Sequence, residues 1–287
     1  MASRAVLITG CSSGIGHATA QRLNADGWTV YATARRPDSI ADLASAGCKT
    51  LALDVTDEQS MSAAVTQVSD AEGAVGVLIN NAGYSQSGAV ETVPLEAVRA
   101  QFETNVFGLI RMCQLVLPGM RDQRWGKIVN VGSMGGRLVF PGGGIYHATK
   151  YAVEALTDAL RFEVRGFGVD AILIEPGLIK TGFGEVASGS VDEASASADE
   201  ARGGGAYAEF NRHVAKATAE VYDGPLIKLG GGPEKVAAAI ASALAAKRPK
   251  ARYPVTASAH LLIGQRRLTP DRAWDLMMRA QFPTPKP

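Results

Sequence analysis

The sequence has few cysteines and no long apolar run, and each lack excludes a class of protein. Cys11, Cys48 and Cys113 are the only cysteines in 287 residues, and no CxxC pair or His-rich cluster accompanies them. The spacing therefore predicts neither a disulfide framework nor a metal site, and we interpret all three as reduced thiols. No stretch approaches the roughly 20 apolar residues of a membrane-spanning helix, and the N-terminus lacks the pattern of a signal peptide. We expect a soluble, cytoplasmic protein without a membrane partner.

An excess of charge of one sign is also lacking. The chain has 29 Lys and Arg against 28 Asp and Glu, a formal net charge of +1. This balance gives no reason to expect a nucleic acid as partner and favours a neutral small-molecule substrate. Because 46% of the residues are hydrophobic, a chain of this length can bury one large core, and we expect a single domain over 1–287.

Short apolar runs alternate with amphipathic stretches, which is typical of strands joined by crossover helices. Runs such as AVLI and IVNV are apolar throughout and indicate strands covered on both faces. The sequence therefore predicts an α/β fold, a Rossmann-type doubly wound parallel sheet of seven strands with helices on both faces. The predicted strands are 5–9, 29–34, 50–54, 75–80, 127–131, 169–175 and 252–255.

Three further segments have their own character. Helical patterns near 95–123 and 151–167 are rich in apolar residues and are predicted to form much of one outer layer. From about 183 to 232 the chain is rich in Ala, Ser, Gly and charge, which we interpret as a substrate lid because it follows a strand end, with disorder as the alternative. An extension from about 256 to 287 covers either the pocket or a neighbouring subunit.

A glycine-rich loop, TGCSSGIG, follows the first predicted strand and opens an amphipathic helix. Such a loop lets the backbone approach a pyrophosphate at the positive end of the helix. Glycines also serve ordinary turns, but the strand before and the helix after are the setting that dinucleotide binding needs. The residues predicted to contact the cofactor here are Gly10, Ser12, Ser13, Gly14, Ile15 and Gly16.

The end of the second predicted strand indicates which dinucleotide is bound. An acidic residue there would hold a ribose 2′-hydroxyl, whereas a basic residue accommodates a 2′-phosphate. Arg35 and Arg36 follow this strand, and no acid appears before Asp38. A guanidinium suits phosphate by geometry and by permanent charge. The sequence therefore predicts NADP(H), with Arg35 at the 2′-phosphate; solvated loop charge is the alternative, and for Arg36 both interpretations stay open.

The remaining polar motifs follow later strands in a fixed order. An NNAG motif at 80–83 follows the fourth strand, Ser133 follows the fifth, and Tyr146 precedes Lys150 by four residues. A Tyr-x3-Lys pair alone is weak evidence, but its order and spacing with the other motifs are specific. Together they resemble the short-chain dehydrogenase/reductase family from residue 5 to about 183. TGCSSGIG, VYATAR and EPG are similar to its hydroxysteroid and retinol dehydrogenase branch.

The resemblance implies a role for each matching residue. Tyr146 would be the acid/base, Lys150 would lower its pKa and bind the nicotinamide ribose, and Ser133 would hold the substrate oxygen. Asn105 would anchor a proton-relay water. The further cofactor-binding positions that the resemblance implies are Asp54, Val55, Asn81, Ala82, Gly83, Pro176, Gly177 and Thr181.

The Tyr–Lys pair suits proton transfer to a carbonyl oxygen. An unperturbed tyrosine pKa of about 10 is too high for an efficient base near neutral pH, and a nearby ammonium favours the phenolate. Four-residue spacing places both side chains on one helix face. The competing interpretations are an amphipathic Tyr146 with a solvated Lys150, a Ser133 that only caps the next segment, and a buried Asn105 that bonds to backbone.

The predicted function is therefore an NADP(H)-dependent oxidoreductase that interconverts a carbonyl and an alcohol on a small apolar substrate. A dinucleotide-sensing protein with little turnover, or an epimerase or dehydratase on the same scaffold, is the alternative. The resemblance also implies a homodimer or homotetramer formed through the two long helical patterns. The predicted pocket floor, in which each residue is also a candidate for core packing, consists of Met134, Leu138, Val139, Phe140 and Phe183.

Overall fold

The computed structural model describes residues 2–181, 189, 205–282 and 284. Within these ranges seven strands form one sheet in the order β3-β2-β1-β4-β5-β6-β7, and every neighbouring pair is parallel. The predicted seven-stranded Rossmann-type fold is confirmed. The strands are β1 (Val6–Ile8), β2 (Val30–Ala34), β3 (Lys49–Ala52), β4 (Val77–Asn80), β5 (Gly126–Val131), β6 (Val169–Pro176) and β7 (Arg252–Val255).

Helices cover both faces of this sheet, which explains why the central strands β1 and β4 are almost entirely apolar. Side chains alternate between the two faces of a strand. Val6 and Ile8 therefore enter one core, and Leu7 enters the other. The same division holds for β4, where Val77 and Ile79 lie on the first side and Leu78 on the second, although all of them are fully buried.

The first core lies under α1, α2 and α8, and the second lies under α3, α5 and α6. The 3-10 turns are Pro37–Ile40, Met134–Gly136, Arg165–Phe167 and Pro225–Leu229. The α-helices are α1 (Gly14–Ala25), α2 (Ala41–Ser45), α3 (Glu58–Glu72), α4 (Leu95–Phe102), α5 (Gly108–Asp122), α6 (Gly144–Glu163), α7 (Gly205–Asp223), α8 (Pro233–Ala245), α9 (Ala257–Leu268) and α10 (Asp271–Gln281).

Two long helical patterns differ in detail from their predicted form. The pattern near 95–123 consists of α4 and α5 joined by a π-helical turn, Glu103–Phe107, and such turns often occur at functional sites. The pattern near 151–167 begins earlier, as α6, at Gly144. Tyr146 and Lys150 therefore lie in the first two turns of a helix that packs beneath the sheet.

The C-terminal segments lie over the carboxyl end of the sheet. The described part of the predicted lid contains α7, whereas residues 182–188 and 190–204, including Phe183, lie outside the described residues. The ring nitrogen Nε2 of His213 on α7 is 2.7 Å from the carbonyl oxygen of Gln281 at the end of α10. Residues of both C-terminal helices, among them Leu262, Trp274 and Met278, line the large cavity at this end of the sheet. Among the described helices, none combines the length and apolar character needed to cross a membrane.

All three cysteines are free and buried. Burial raises the pKa of the Cys11 and Cys113 thiols to about 12, so both are neutral at physiological pH and pack as small apolar side chains.

Candidate active site

A cavity of about 1450 Å³ opens at the carboxyl ends of the strands. It lies where β1 separates β2 from β4, the crevice at which open α/β sheets bind ligands. Cavities for a single small ligand occupy roughly 300–1,000 Å³, so this one has room for a dinucleotide and a second molecule. The predicted site residues on its wall are Gly10, Ser12, Ser13, Gly14, Ile15, Arg35, Asp54, Val55, Asn81, Ala82, Gly83, Ser133, Tyr146, Lys150, Pro176, Gly177 and Thr181.

The glycine-rich loop needs glycine for steric reasons. Gly10 has φ +72°, and a Cβ there would lie 2.9 Å from the Cα of Ala82. Gly14 has φ +58°, and its missing Cβ leaves room for Thr181. Gly16 does not line the cavity; a Cβ at that position would lie 2.3 Å from the carbonyl oxygen of Gly10. Gly16 thus acts by letting α1 approach the loop.

Asn81 connects the NNAG motif to the glycine-rich loop. Its Nδ2 donates to the carbonyl oxygens of Thr9 and Gly10 at 3.0 and 2.9 Å. The hydroxyl of Thr9 accepts the backbone N–H groups of Asn81 and Ala82, both at 3.0 Å. These bonds hold together the loops that follow β1 and β4, which border the crevice. Thr9 begins the TGCSSGIG motif, but the motif did not predict this role, for which its place between β1 and Gly10 is a usable signal.

The two arginines after β2 have different positions. Both are exposed, but Arg35 lies on the cavity wall and Arg36 is not among the residues that line it. Asp54 and Val55, after β3, line the same region. Asp54 Oδ1 accepts the backbone N–H of Thr56 at 2.9 Å, which orients the loop. The cavity wall at the ends of β2 and β3 therefore carries a guanidinium and a fixed carboxylate.

Tyr146 and Lys150 lie one turn apart on α6. The Nζ atom of Lys150 is 5.8 Å from the centre of the Tyr146 ring and donates to the carbonyl oxygen of Val131, at the end of β5, at 2.9 Å. Burial lowers the pKa of Lys150 from 10.5 to about 8. At Gly83 a Cβ would lie only 3.0 Å from Asn105 Oδ1, so this position is tight on the Asn105 side, whereas its 3.9 Å distance to Lys150 Nζ would be ordinary contact.

Ser133 follows β5 and begins the 3-10 turn Met134–Gly136. Its Oγ accepts the backbone N–H of Gly135 at 3.0 Å, so its hydroxyl hydrogen is free to point elsewhere. Buried His147 secures the next loop: its Nδ1 lies 2.9 Å from the Gly135 carbonyl oxygen, and its Nε2 accepts the N–H of Phe140 at 3.2 Å. Burial lowers the pKa of His147, which favours the neutral ring that this pattern requires.

Asn105 lies in the π-helical turn and not on the cavity wall. Its Oδ1 accepts the backbone N–H of Tyr84 at 3.1 Å, and its Nδ2 donates to the Tyr84 carbonyl and to Thr149 Oγ1 at 3.0 and 3.1 Å. Gln101 Nε2 also donates to the Tyr84 carbonyl, at 2.9 Å. The side chain of Asn105 is therefore occupied by protein groups, and Thr149 and Gln101 are supporting residues that no sequence motif identified.

The other half of the cavity is apolar. Of the predicted floor, Met134 and Phe140 line it, but Leu138 is fully buried and Val139 is 41% exposed, and neither is on the wall. Leu138 packs instead behind the wall, against residues of α10. Most of this wall was not predicted from the sequence, because only the amphipathic pattern of the C-terminal helices specifies its residues. Its main apolar residues are Val214, Val221, Leu262, Trp274, Met277, Met278 and Phe282.

Two curated bacterial proteins are similar to this chain. A 3-ketodihydrosphingosine reductase of Bacteroides thetaiotaomicron is 44% identical over 184 residues, which are 64% of this chain and 66% of that protein. An NADPH-dependent 3-dehydrocapnine reductase of Ornithobacterium rhinotracheale is 34% identical over 282 residues, 95% of each protein. The second similarity extends through the C-terminal helices.

The same pattern appears in a family model and in a solved structure. The model described as short chain dehydrogenase matches residues 4–189. The crystal structure of a short-chain dehydrogenase from Streptomyces avermitilis superposes with a TM-score of 0.74 at 31% identity, covering 97% of this chain and 99% of that one. The superposition supports the Rossmann-type fold.

Proposed function

Because the chain belongs to the short-chain dehydrogenase family of oxidoreductases, we propose that it interconverts a carbonyl and an alcohol on an apolar substrate with NADP(H). The observation that carries this proposal is a shared cavity. Ser133, Tyr146 and Lys150 line the same cavity as the glycine-rich loop. The residues for proton transfer and the loop that would bind a dinucleotide therefore face one cavity, where a single substrate could contact both.

The cavity residues fit a dinucleotide. Gly10 and Gly14 place no side chain at two positions of the loop, and the N-terminus of α1 offers backbone N–H groups to a pyrophosphate. Arg35 on the wall supports a 2′-phosphate and hence NADP(H). The name of one relative, an NADPH-dependent reductase, supports the same choice. When bound, the cofactor supplies or accepts the hydride.

Proton transfer is assigned to this chain's own residues. Tyr146 donates its phenolic proton to the substrate oxygen during reduction and accepts a proton during oxidation. The ammonium of Lys150 near its ring favours the phenolate. With a pKa of about 8, Lys150 is mostly charged at neutral pH. Ser133 donates a hydrogen bond to the developing oxyanion.

Asn105 is assigned the relay water that the family resemblance implies. Its amide group is held by Tyr84 and Thr149, so we assign the water to its backbone carbonyl in the π-helical turn. The side-chain bonds then serve to fix that turn next to α6. Asp54, Val55, Asn81, Ala82, Gly83, Pro176, Gly177 and Thr181 are proposed to contact the cofactor, since all of them line the cavity.

The substrate is proposed to be an apolar ketone or the matching secondary alcohol. Met134 and Phe140 lie next to Ser133 on the wall, and Trp274 and Met278 of α10 extend the apolar surface away from it. The names of the two relatives, reductases of a 3-keto and a 3-dehydro compound, support a ketone as the group reduced. A dinucleotide sensor would not need Ser133, Tyr146 and Lys150 on one wall.

The chain is also proposed to form a homodimer or homotetramer. Apolar side chains on the helical layer formed by α4 to α6 remain in contact with solvent in the single chain. They are Leu95, Phe107, Tyr151 and Phe162, which are 44–72% exposed. Burial of such a patch against a second copy would remove this apolar surface from water.

The decisive experiment measures oxidation of NADPH against a panel of 3-keto lipids, diketones, quinones, steroids, retinal and aliphatic ketones. Tyr146→Phe serves as the matched control because it deletes only the phenolic oxygen. We expect turnover with at least one apolar ketone and a loss of about 10²-fold or more in kcat in the variant, the usual contribution of a general acid. The Kd for NADPH is expected to change less than about threefold, since one hydrogen bond contributes only modestly to binding. NADPH binding without turnover would favour the sensor, and near-normal kcat in Tyr146→Phe would reject the acid/base assignment.

A further inference from the structure

Two buried carboxyl groups face each other behind the catalytic helix, and the proposed reaction does not use them. Glu154 lies on α6, one turn after Lys150, and Glu175 lies in β6 immediately before Pro176. Their side chains are only 8% and 3% exposed. The two carboxyl groups are within hydrogen-bonding reach of each other. Within the described residues, Oε1 of each has no other hydrogen-bond partner.

Arginines face this pair from two elements. Arg252 of β7 places its Nε 3.1 Å from Glu154 Oε2 and 3.7 Å from Glu175 Oε1. Arg137, after the 3-10 turn that follows Ser133, places Nη1 3.4 Å from Glu154 Oε2. Arg252 also binds Asp158, one turn further along α6.

Three guanidiniums face three carboxyl groups here, but among the described residues none of them hydrogen-bonds to Glu175: Arg252 Nε is 3.7 Å from Glu175 Oε1, and its hydrogen bonds go to Glu154 and Asp158. Arg252 is shared among three carboxyl groups, and Arg161, the other cation nearby on α6, pairs with Asp158 at 2.5 Å. The Nζ of Lys150 points away, to the Val131 carbonyl. Burial and the neighbouring charge of Glu154 raise the pKa of Glu175 to about 7, against the opposing effect of the two facing arginines.

We propose that Glu154 and Glu175 share one proton and that this acid–carboxylate pair is a positioning unit, which holds the helix of Tyr146 and Lys150 against the turn at Gly177. A single proton between the two carboxyl groups satisfies both unpartnered oxygens, since one group donates and the other accepts. Loss of that proton leaves two adjacent negative charges, which repel each other and separate α6 from the end of β6.

The contacts explain how this separation would reach the site. Glu175 lies two residues before Gly177, which lines the cavity, and Glu154 lies two turns from Tyr146. The turn after Ser133 rests on the same stretch of α6: a Cβ at Gly136 would lie 2.9 Å from Glu154 Cγ and 2.8 Å from the Lys150 carbonyl oxygen. The pair therefore contacts α6 and two of the segments that carry cavity residues.

The shared proton is tested without any substrate. Infrared difference spectra of the whole protein between pH 6 and pH 8.5 should show the carbonyl stretch of a protonated carboxyl group that disappears as the pH rises. Glu175→Gln and Glu154→Gln should each lack this band, because the amide replaces the shared proton with a permanent N–H donor. Glu163→Gln, an exposed change on the same helix, is the matched control and should keep the band.

Thermal unfolding gives a second measure. A carboxyl with a folded pKa of about 7 stabilises the native state fully below its unfolded pKa and loses that contribution as the pH rises through 7. Between pH 6 and pH 8 the Tm of the wild-type protein should fall about 2 °C further than that of Glu175→Gln, from the entropy of unfolding expected for this chain length. A structural role alone would make the variant less stable by a constant amount at both pH values. The absence of both the band and the excess fall in Tm would overturn the shared proton.

The positioning role is tested by kinetics, and this arm rests on the proposed reductase function. We expect the ratio of kcat at pH 8 to kcat at pH 6 to be at least about twofold higher in Glu175→Gln than in the wild type, since only the wild type develops the repulsion. Titration of Tyr146 and Lys150 is common to both proteins and cancels in this comparison. Equal ratios would limit the pair to stability and overturn its positioning role. A protein that shows the band but turns over no ketone would refute the proposed function and leave the shared proton supported.

Discussion

Replacement of Lys150 by methionine in the cofactor-free protein measures how much the buried charge of this lysine lowers the free energy of unfolding. Lys150 is 7% exposed and has no anionic partner among the hydrogen bonds of the described residues; its ammonium donates to the Val131 carbonyl. Methionine keeps the length and most of the packing of the side chain and removes the charge. Without NADPH, the stability difference between the two proteins reports on this side chain.

The magnitude follows from the pKa shift. Burial lowers the pKa of Lys150 from 10.5 to about 8, and each unit corresponds to about 1.4 kcal/mol. Because the folded pKa is lower than the unfolded one, folding disfavours the protonated form. The penalty is therefore fully present below pH 8 and disappears as the pH rises from 8 to 10.5. It amounts to about 3 kcal/mol at pH 7 and about 2 kcal/mol at pH 9.

Urea unfolding of both proteins at pH 7 and pH 9 measures this difference. The free energy of unfolding of the wild type should rise by about 1 kcal/mol relative to Lys150→Met between the two pH values. The hydrogen bond to Val131 that methionine cannot make lowers the stability of the variant by an amount that does not depend on pH, so it does not affect the change. A stability difference that stays constant within about 0.3 kcal/mol would refute a depressed lysine pKa.

Two further predictions concern the cofactor and the oligomer. Arg35→Ala should weaken NADPH binding at least about tenfold, because a charge-assisted phosphate contact is lost, and should weaken NADH binding little. Arg36→Ala, off the cavity wall, is the control and should change the binding of both cofactors little. Equal losses of NADPH and NADH affinity in Arg35→Ala, measured by fluorescence titration, would reject the 2′-phosphate assignment. Phe162→Glu, at a side chain that is 72% exposed, should shift a homo-oligomer toward monomer in analytical ultracentrifugation, because a charge would be buried at the interface; an unchanged sedimentation coefficient would remove this helix from the interface.

The features of this structure that could be predicted are those at which physical constraints allow few residue types. A strand covered on both faces is apolar over most of its length, so all seven strands were predicted to within two residues at each end; the first, for example, is Val6–Ile8 where 5–9 was predicted. Gly10 and Gly14 are required by positive φ angles and by close approach to Ala82 and Thr181. Such positions tolerate few alternatives, which is why a sequence reveals them.

Positions that act through side-chain packing or through one specific contact were harder to predict. The π-helical turn at Glu103–Phe107 has no sequence signature, so the bonds of the Asn105 side chain to Tyr84 and Thr149 could not be predicted, although a buried side chain bonded to backbone was one of the two interpretations. Val139 was expected on the pocket floor and is exposed, because the chain between Leu138 and Phe140 alternates its side chains between core and solvent. Buried Glu154 and Glu175 are ordinary charged residues in the sequence, and only the fold brings them together.

The cavity is therefore built from two kinds of residue, which differ in how many substitutions they tolerate. Its cofactor half is built by backbone geometry and by polar side chains on the segments before Thr181, where one atom in the wrong place removes a hydrogen bond or blocks the pyrophosphate. Its apolar half is built largely by α7, α9 and α10, where Leu262, Trp274 and Met278 need only fill space next to one another. Apolar walls accept exchanges of similar volume at little cost in stability. Under the proposed function, the residues assigned to the reaction and most of the wall assigned to the substrate therefore lie in separate parts of this chain, and we expect exchanges in the C-terminal helices to change specificity while Ser133 and Tyr146 remain as they are.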